Sequence, residues 1–121
     1  MNYERVKAVF LGFLDKKEAT PYIMYIEAAI SDTEGRIRPE YAEDPPDCVN
    51  MLAAANALVM YTNALCAGDI TVCSENGKAL LDRNTDNIRR SAAYLADYFK
   101  GVCSRYITDD KFVMISTEKE A

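Results

Sequence analysis

Val6, Val9, Phe10, Phe13 and Leu14 recur at steps of three and four, while Glu4, Arg5, Lys7 and Lys16 occupy the positions between them. This is the spacing of an amphipathic helix, and it predicts a first helix over Tyr3–Asp15. After a short connection, Lys16–Ala19, the pair Thr20-Pro21 marks a second start. A Thr hydroxyl can accept an orphan amide hydrogen there, and Pro in the first turn lacks the N–H that would be left over. Ile23, Ile26 and Ile30 give the second helix its stripe, which fades across Ser31–Gly35. Ser31–Asp47 holds most of the prolines and many acids. It reads as an exposed connection, longer than most internal loops and a candidate contact arm.

Pro45-Pro46-Asp47 then introduces CVNMLAAANALVMYTNALCAG, in which no side chain is charged. A helix that is apolar on every side belongs in the interior, so this segment is the predicted centre of the fold, with Gly68 as its stop. Asp69–Cys73 switches to alternation with β-branched residues and predicts a short strand. Phe112–Ser116 has the same character and is an available partner, either within the chain or from another subunit. From Lys78 the helical signal resumes. Leu81, Thr85, Ile88, Ala92, Leu95, Phe99 and Val102 form a heptad-like seam, with Asn84-Thr85-Asp86 as the point where a break is most compatible with the residues. The expected fold is mainly α, with four to five helices and a short strand or hairpin element. It forms one helical domain over residues 1–116, followed by a frayed tail at 117–121.

Half of the 121 residues are hydrophobic and 27% are charged, a globular balance. The net charge of -5 repels phosphate backbones and acidic bilayers, so neither sequence-specific nucleic-acid binding nor membrane association is expected. The uncharged stretch is long enough to raise the question of a membrane span. Asn50, Asn56 and Asn63 within it, its many alanines, and the lack of flanking Lys/Arg bias favour the core helix of a soluble protein. Four cysteines, Cys48, Cys66, Cys73 and Cys103, show no C-x-x-C spacing. The N-terminal residues lack the order of a secretion signal. Reduced thiols in a cytoplasmic setting are the expectation.

The chain contains no histidine, which removes the commonest general base, metal ligand and nucleophile activator. No glycine-rich phosphate loop is written, and the thiols are not spaced for zinc. Asp82 and Asp86, four apart, are the best carboxylate pair for magnesium chemistry, and the other helices offer no matching acids. No enzyme activity and no cofactor are expected. The residues that point to function are candidates for contact instead. Asn56 and Asn63 lie one heptad apart, either hydrogen-bonded in the core or fixing the register between subunits. Tyr94 and Tyr98 lie beside the seam, where they either pack at the core edge with hydroxyls in water or anchor an interface. Ile70 and Val72 on the strand, and Phe112 on its possible partner strand, complete the set.

LAAANALVMYTNAL at Leu52–Leu65, GDITV at Gly68–Val72 and IRRSAAYLADYF at Ile88–Phe99, in that order between two short helices and a Phe-containing C-terminal strand, resemble the head-to-tail connector (adaptor) proteins of tailed bacteriophages and prophages. The resemblance covers nearly the whole chain. It implies a ring of identical subunits between portal and tail proteins, in the host cytoplasm or the virion, with no catalytic residue to carry over. A second reading is a small helical adaptor or regulator that takes a partner helix in an apolar groove beginning at the Leu81–Val102 face.

Overall fold

The computed structural model describes the backbone of residues 1–73 and 78–108 and the side chains of residues 1–65 and 87–108. Four α-helices are formed among the described residues: α1 Tyr3–Leu14, α2 Ile23–Glu34, α3 Asp47–Cys73 and α4 Lys78–Val102. Short 3-10 turns at Thr20–Tyr22 and Pro39–Tyr41 lead into α2 and follow it. The mainly α fold is therefore as the periodicity predicts, and α1 ends within one residue of its expected limit.

Asn2 caps α1, its side-chain oxygen accepting from the Arg5 amide at 3.1 Å. The helix stops because Asp15 turns left-handed, with φ 54°. The Lys16 amide then donates to the Leu11 carbonyl at 3.0 Å and the Asp15 amide to that of Gly12 at 3.3 Å, the paired bonds of a Schellman ending. At the start of α2, Pro21 sits in the first turn as expected, but Thr20 makes no capping bond. Aromatic contacts fix this corner instead. Tyr22 meets Phe10 at 5.4 Å and Tyr61 edge-on at 5.2 Å, and Tyr25 meets Tyr61 at 5.7 Å.

α3 packs against each of the other three helices. Ala53, Ala54, Ala55 and Ala57 are fully buried, and the small side chains of Ala53, Ala54 and Ala57 let Val6 and Phe10 of α1, Ile26 and Ala29 of α2 and Ala92 of α4 close on them in one core. A second, smaller cluster joins Val49 and Leu52 near the start of α3 to Cys103 and Ile107 just beyond α4. Since Leu58, further along α3, shares a cluster with Ala92, α3 and α4 run antiparallel. The small cluster is closed by an antiparallel bridge between Ile37 and Ile107, with the Arg38 amide on the Tyr106 carbonyl at 2.9 Å and the Thr108 amide on that of Arg36 at 2.7 Å. Tyr41 stands edge-on to Tyr106 at 4.8 Å. Much of the Ser31–Asp47 connection is therefore structured: α2 runs to Glu34, and Arg36, Ile37, Arg38 and Tyr41 are tied to the segment just beyond α4.

Two expectations are corrected. Asp69–Cys73 is not a strand, because α3 continues through Gly68 to Cys73. Once a helix is more than five turns long, each further residue needs only propagation. The cost is about 1 kcal/mol for Gly and a few tenths for each β-branched residue, whereas a strand needs a hydrogen-bonding neighbour. Among the described residues no strand is present to supply one. The helix also passes through Asn84-Thr85-Asp86 without a break. Phe112–Ser116 and the tail at 117–121 lie outside the described residues.

Candidate protein interface

Among the described residues, most of the exposed large hydrophobic side chains lie on α4. Ala92 and, one residue past the helix, Cys103 are buried to 1% and 0% exposure, with Leu95 and Phe99 half-buried between them. The inward seam therefore ends on Cys103 where the heptad spacing predicts Val102, since a straight helix drifts away from a strict seven-residue repeat. Val102 is instead 48% exposed, and Tyr94 and Tyr98 are 76% and 64% exposed. These three lie at successive steps of four, so they form one ridge on the solvent side of α4. The ring of Tyr98 leans edge-on against Phe99 at 5.1 Å, and Phe99 stacks on Phe13 of α1 at 6.5 Å. The exposed ridge is thus braced through Phe99 to the bundle.

Beside the ridge lies an open groove of about 490 Å³. Phe13 and Leu14 at the end of α1, Leu58 of α3, and Ile88, Ala92 and Leu95 of α4 line it, with Asn87 and Ser91 at its edge. Ile88, a seam residue, is 39% exposed there. Its volume falls within the range of sites that accept a ligand or a few side chains of a partner.

The predicted contact residues separate in space. Asn56 is half-buried and donates to the fully buried Thr33 hydroxyl at 3.2 Å, joining α3 to α2 inside the protein. Asn63, two turns on along the same stripe, is exposed. Tyr94 and Tyr98 share the α4 ridge. Ile70 and Val72 fall on the last turns of α3 with side chains outside those described, as are the side chains of Asp82 and Asp86. Phe112 lies outside the described residues. The groove walls contributed by Phe13, Leu14 and Leu58 are absent from the sequence-based set, because their periodicity marks them only as core-facing.

Polar chemistry gathers at the start of α3. Arg5 holds Asp47 with two bonds of 3.0 Å, Asn50 donates to the same carboxylate at 3.2 Å, and the Asn50 oxygen accepts from the Asn2 amide at 3.2 Å. The hydrogen bonds from Arg5 and then Asn50 lower the Asp47 pKa from its ordinary 3.8. These bonds hold α1 to the start of α3. Among the described residues no cluster of three or more Cys, Asp or Glu is arranged to hold a metal ion. Comparisons with profiles of protein families, with curated protein sequences and with solved structures gave no match.

Proposed function

We propose that this chain is a non-enzymatic assembly subunit of the head-to-tail connector kind, which associates with copies of itself and with portal and tail proteins. The observation that carries the reading is the Tyr94–Tyr98–Val102 ridge, apolar and exposed on a helix whose opposite side is fixed in the core. Tyrosine is enriched at protein interfaces because it contributes large contact area at low conformational cost while tolerating water when unbound. A ring of identical subunits needs two different surfaces on each copy, one entering the other. The ridge and the Phe13–Leu58–Ile88 groove are such a pair. Asp69–Cys73, expected as a strand that could pair within the chain or with another subunit, is helical and gives this reading no support; the α4 surface takes its place.

Asp47–Leu65 is long and apolar enough to cross a bilayer, with mean hydropathy 1.3, and 44% of it is buried against the other helices. We read it as the core helix of a soluble protein, supported by the three fully buried alanines, Ala53, Ala54 and Ala57, that share a core with the other helices.

Sedimentation velocity over a concentration series tests the reading. The wild type should form oligomers, and Tyr98→Glu on the ridge and Ile88→Glu in the groove should each hold the protein monomeric with unchanged helical circular dichroism. Mixing the two variants should restore one intact contact per pair and yield a dimer that goes no further. A wild type that stays monomeric at every concentration and also when mixed with its portal protein overturns the assembly reading. The groove then favours the second one, an adaptor that accepts a partner helix.

A further inference from the structure

The structure assigns an oxidation site to two residues far apart in sequence: we propose that Cys48 and Cys103 form a dithiol that closes to an intramolecular disulfide when a disulfide oxidant such as oxidised glutathione is present. The antiparallel pairing of α3 and α4 brings them together, because Cys48 is the second residue of α3 and Cys103 directly follows the last residue of α4. Cys103 is fully buried in the small cluster with Val49, Leu52 and Ile107, and Cys48, half-buried, packs against the same cluster. Both are free thiols, and Cys48 packs against the cluster in which Cys103 is buried.

The backbone around each is held. The Cys103 amide donates to the Phe99 carbonyl at 2.9 Å, and the Cys103 carbonyl accepts from the Tyr106 amide at 2.7 Å and the Ile107 amide at 3.2 Å. Cys48 follows the stiff Pro45-Pro46 entry, and the Val49 amide bonds the Pro46 carbonyl at 3.0 Å. Closing the disulfide needs the two thiols of this shared cluster to meet by side-chain rotation on backbones that are already held.

Exposure divides the labour. Cys48 reaches solvent, so its thiolate attacks one sulfur of oxidised glutathione, forming a mixed disulfide and releasing one glutathione thiolate. Cys103 then attacks the Cys48 sulfur, expelling the second glutathione, which takes up the proton Cys103 loses. Two protein thiols are oxidised to one disulfide, and one glutathione disulfide is reduced to two thiols. Burial, together with the neighbouring Cys48 thiol, pushes the Cys103 pKa well above its ordinary range. Burial keeps Cys103 away from outside oxidants and leaves it to resolve the mixed disulfide on Cys48, and its raised pKa makes that second attack, through a small thiolate fraction, the slower step. The product joins the start of α3 to the end of α4, the ends that close the small cluster. Restricting a long loop in the unfolded chain should stabilise the fold.

The full chain is incubated folded with a series of oxidised-to-reduced glutathione ratios, quenched with an alkylating agent, and mapped by mass spectrometry without reduction. A Cys48–Cys103 cross-link in the monomeric species is expected, with a melting temperature several degrees above that of the reduced protein. Cys48→Ala should show neither, and Cys103→Ala should retain glutathione on Cys48. The proposal is overturned if the wild type keeps a stable glutathione adduct on Cys48 while Cys103 remains a thiol, if both thiols are fully alkylated at every ratio, or if links to Cys66 or Cys73 form in equal yield.

Discussion

At the scale of single residues, the start of α3 shows how a carboxylate couples the fold to pH. Asp47 is bonded by Arg5 and Asn50, and its folded pKa lies below the ordinary value of 3.8. A depressed folded pKa means the unfolded chain takes up protons first as acid is added. The contribution of Asp47 is therefore complete above its unfolded pKa, and it is lost as pH falls through the folded one. Both side chains of the Arg5–Asp47 pair are about half exposed, so water and salt keep this contribution small. Asp47→Asn should lower the urea midpoint slightly at neutral pH, and its pH curve should meet that of the wild type in strong acid. Parallel curves down to the acid limit would show that the bonds do not couple to folding. Asn56 illustrates what a sequence leaves open at this scale. Its position on an apolar helix shows that it needs a partner. Only the crossing of α2 over α3 reveals that the partner is the Thr33 hydroxyl and not a neighbouring subunit.

At the scale of elements, α1 was legible nearly to the residue because its apolar stripe and its polar positions agree. α3 was legible as the central helix but not in its length. Gly68 and the β-branched run after it are unfavourable in a helix only by amounts that propagation of a long helix tolerates, and alternation over five residues cannot outweigh that without a strand partner. The contact between Cys48 and Cys103 could not be read from spacing at all, since it depends on α3 and α4, 27 and 25 residues long, pairing end to end. The alanines of α3 carry a prediction here. Ala57 is fully buried within the core shared with α1, α2 and α4, so Ala57→Leu should force those helices apart and cost about 1–3 kcal/mol. Ala64, exposed on the same helix, should accept Leu within about 0.5 kcal/mol. Urea unfolding of the two variants measures the contrast, and equal losses would show that α3 is not gripped more tightly along its first four turns.

At the scale of the whole molecule, the net charge of -5 opposes the self-association that we propose for the tyrosine ridge. Copies of an acidic protein repel one another over distances set by the Debye length, about 10 Å at 0.1 M salt. The proposed contact of Tyr94, Tyr98 and Val102 with the Phe13, Leu58 and Ile88 groove is mainly apolar, and its strength depends little on moderate salt. Raising sodium chloride from about 20 mM to about 300 mM should thus screen the repulsion and leave the attraction in place. Association of the wild type, followed by sedimentation velocity, should strengthen severalfold over that range. An assembly joined by ion pairs between Arg and Asp side chains would instead weaken, since surface pairs are themselves screened. A fall in association with salt would therefore move the contact away from the ridge and onto charged positions of the surface. A rise that disappears in Tyr98→Glu would tie it to this helix, because the added carboxylate places a charge inside the apolar contact that salt cannot remove.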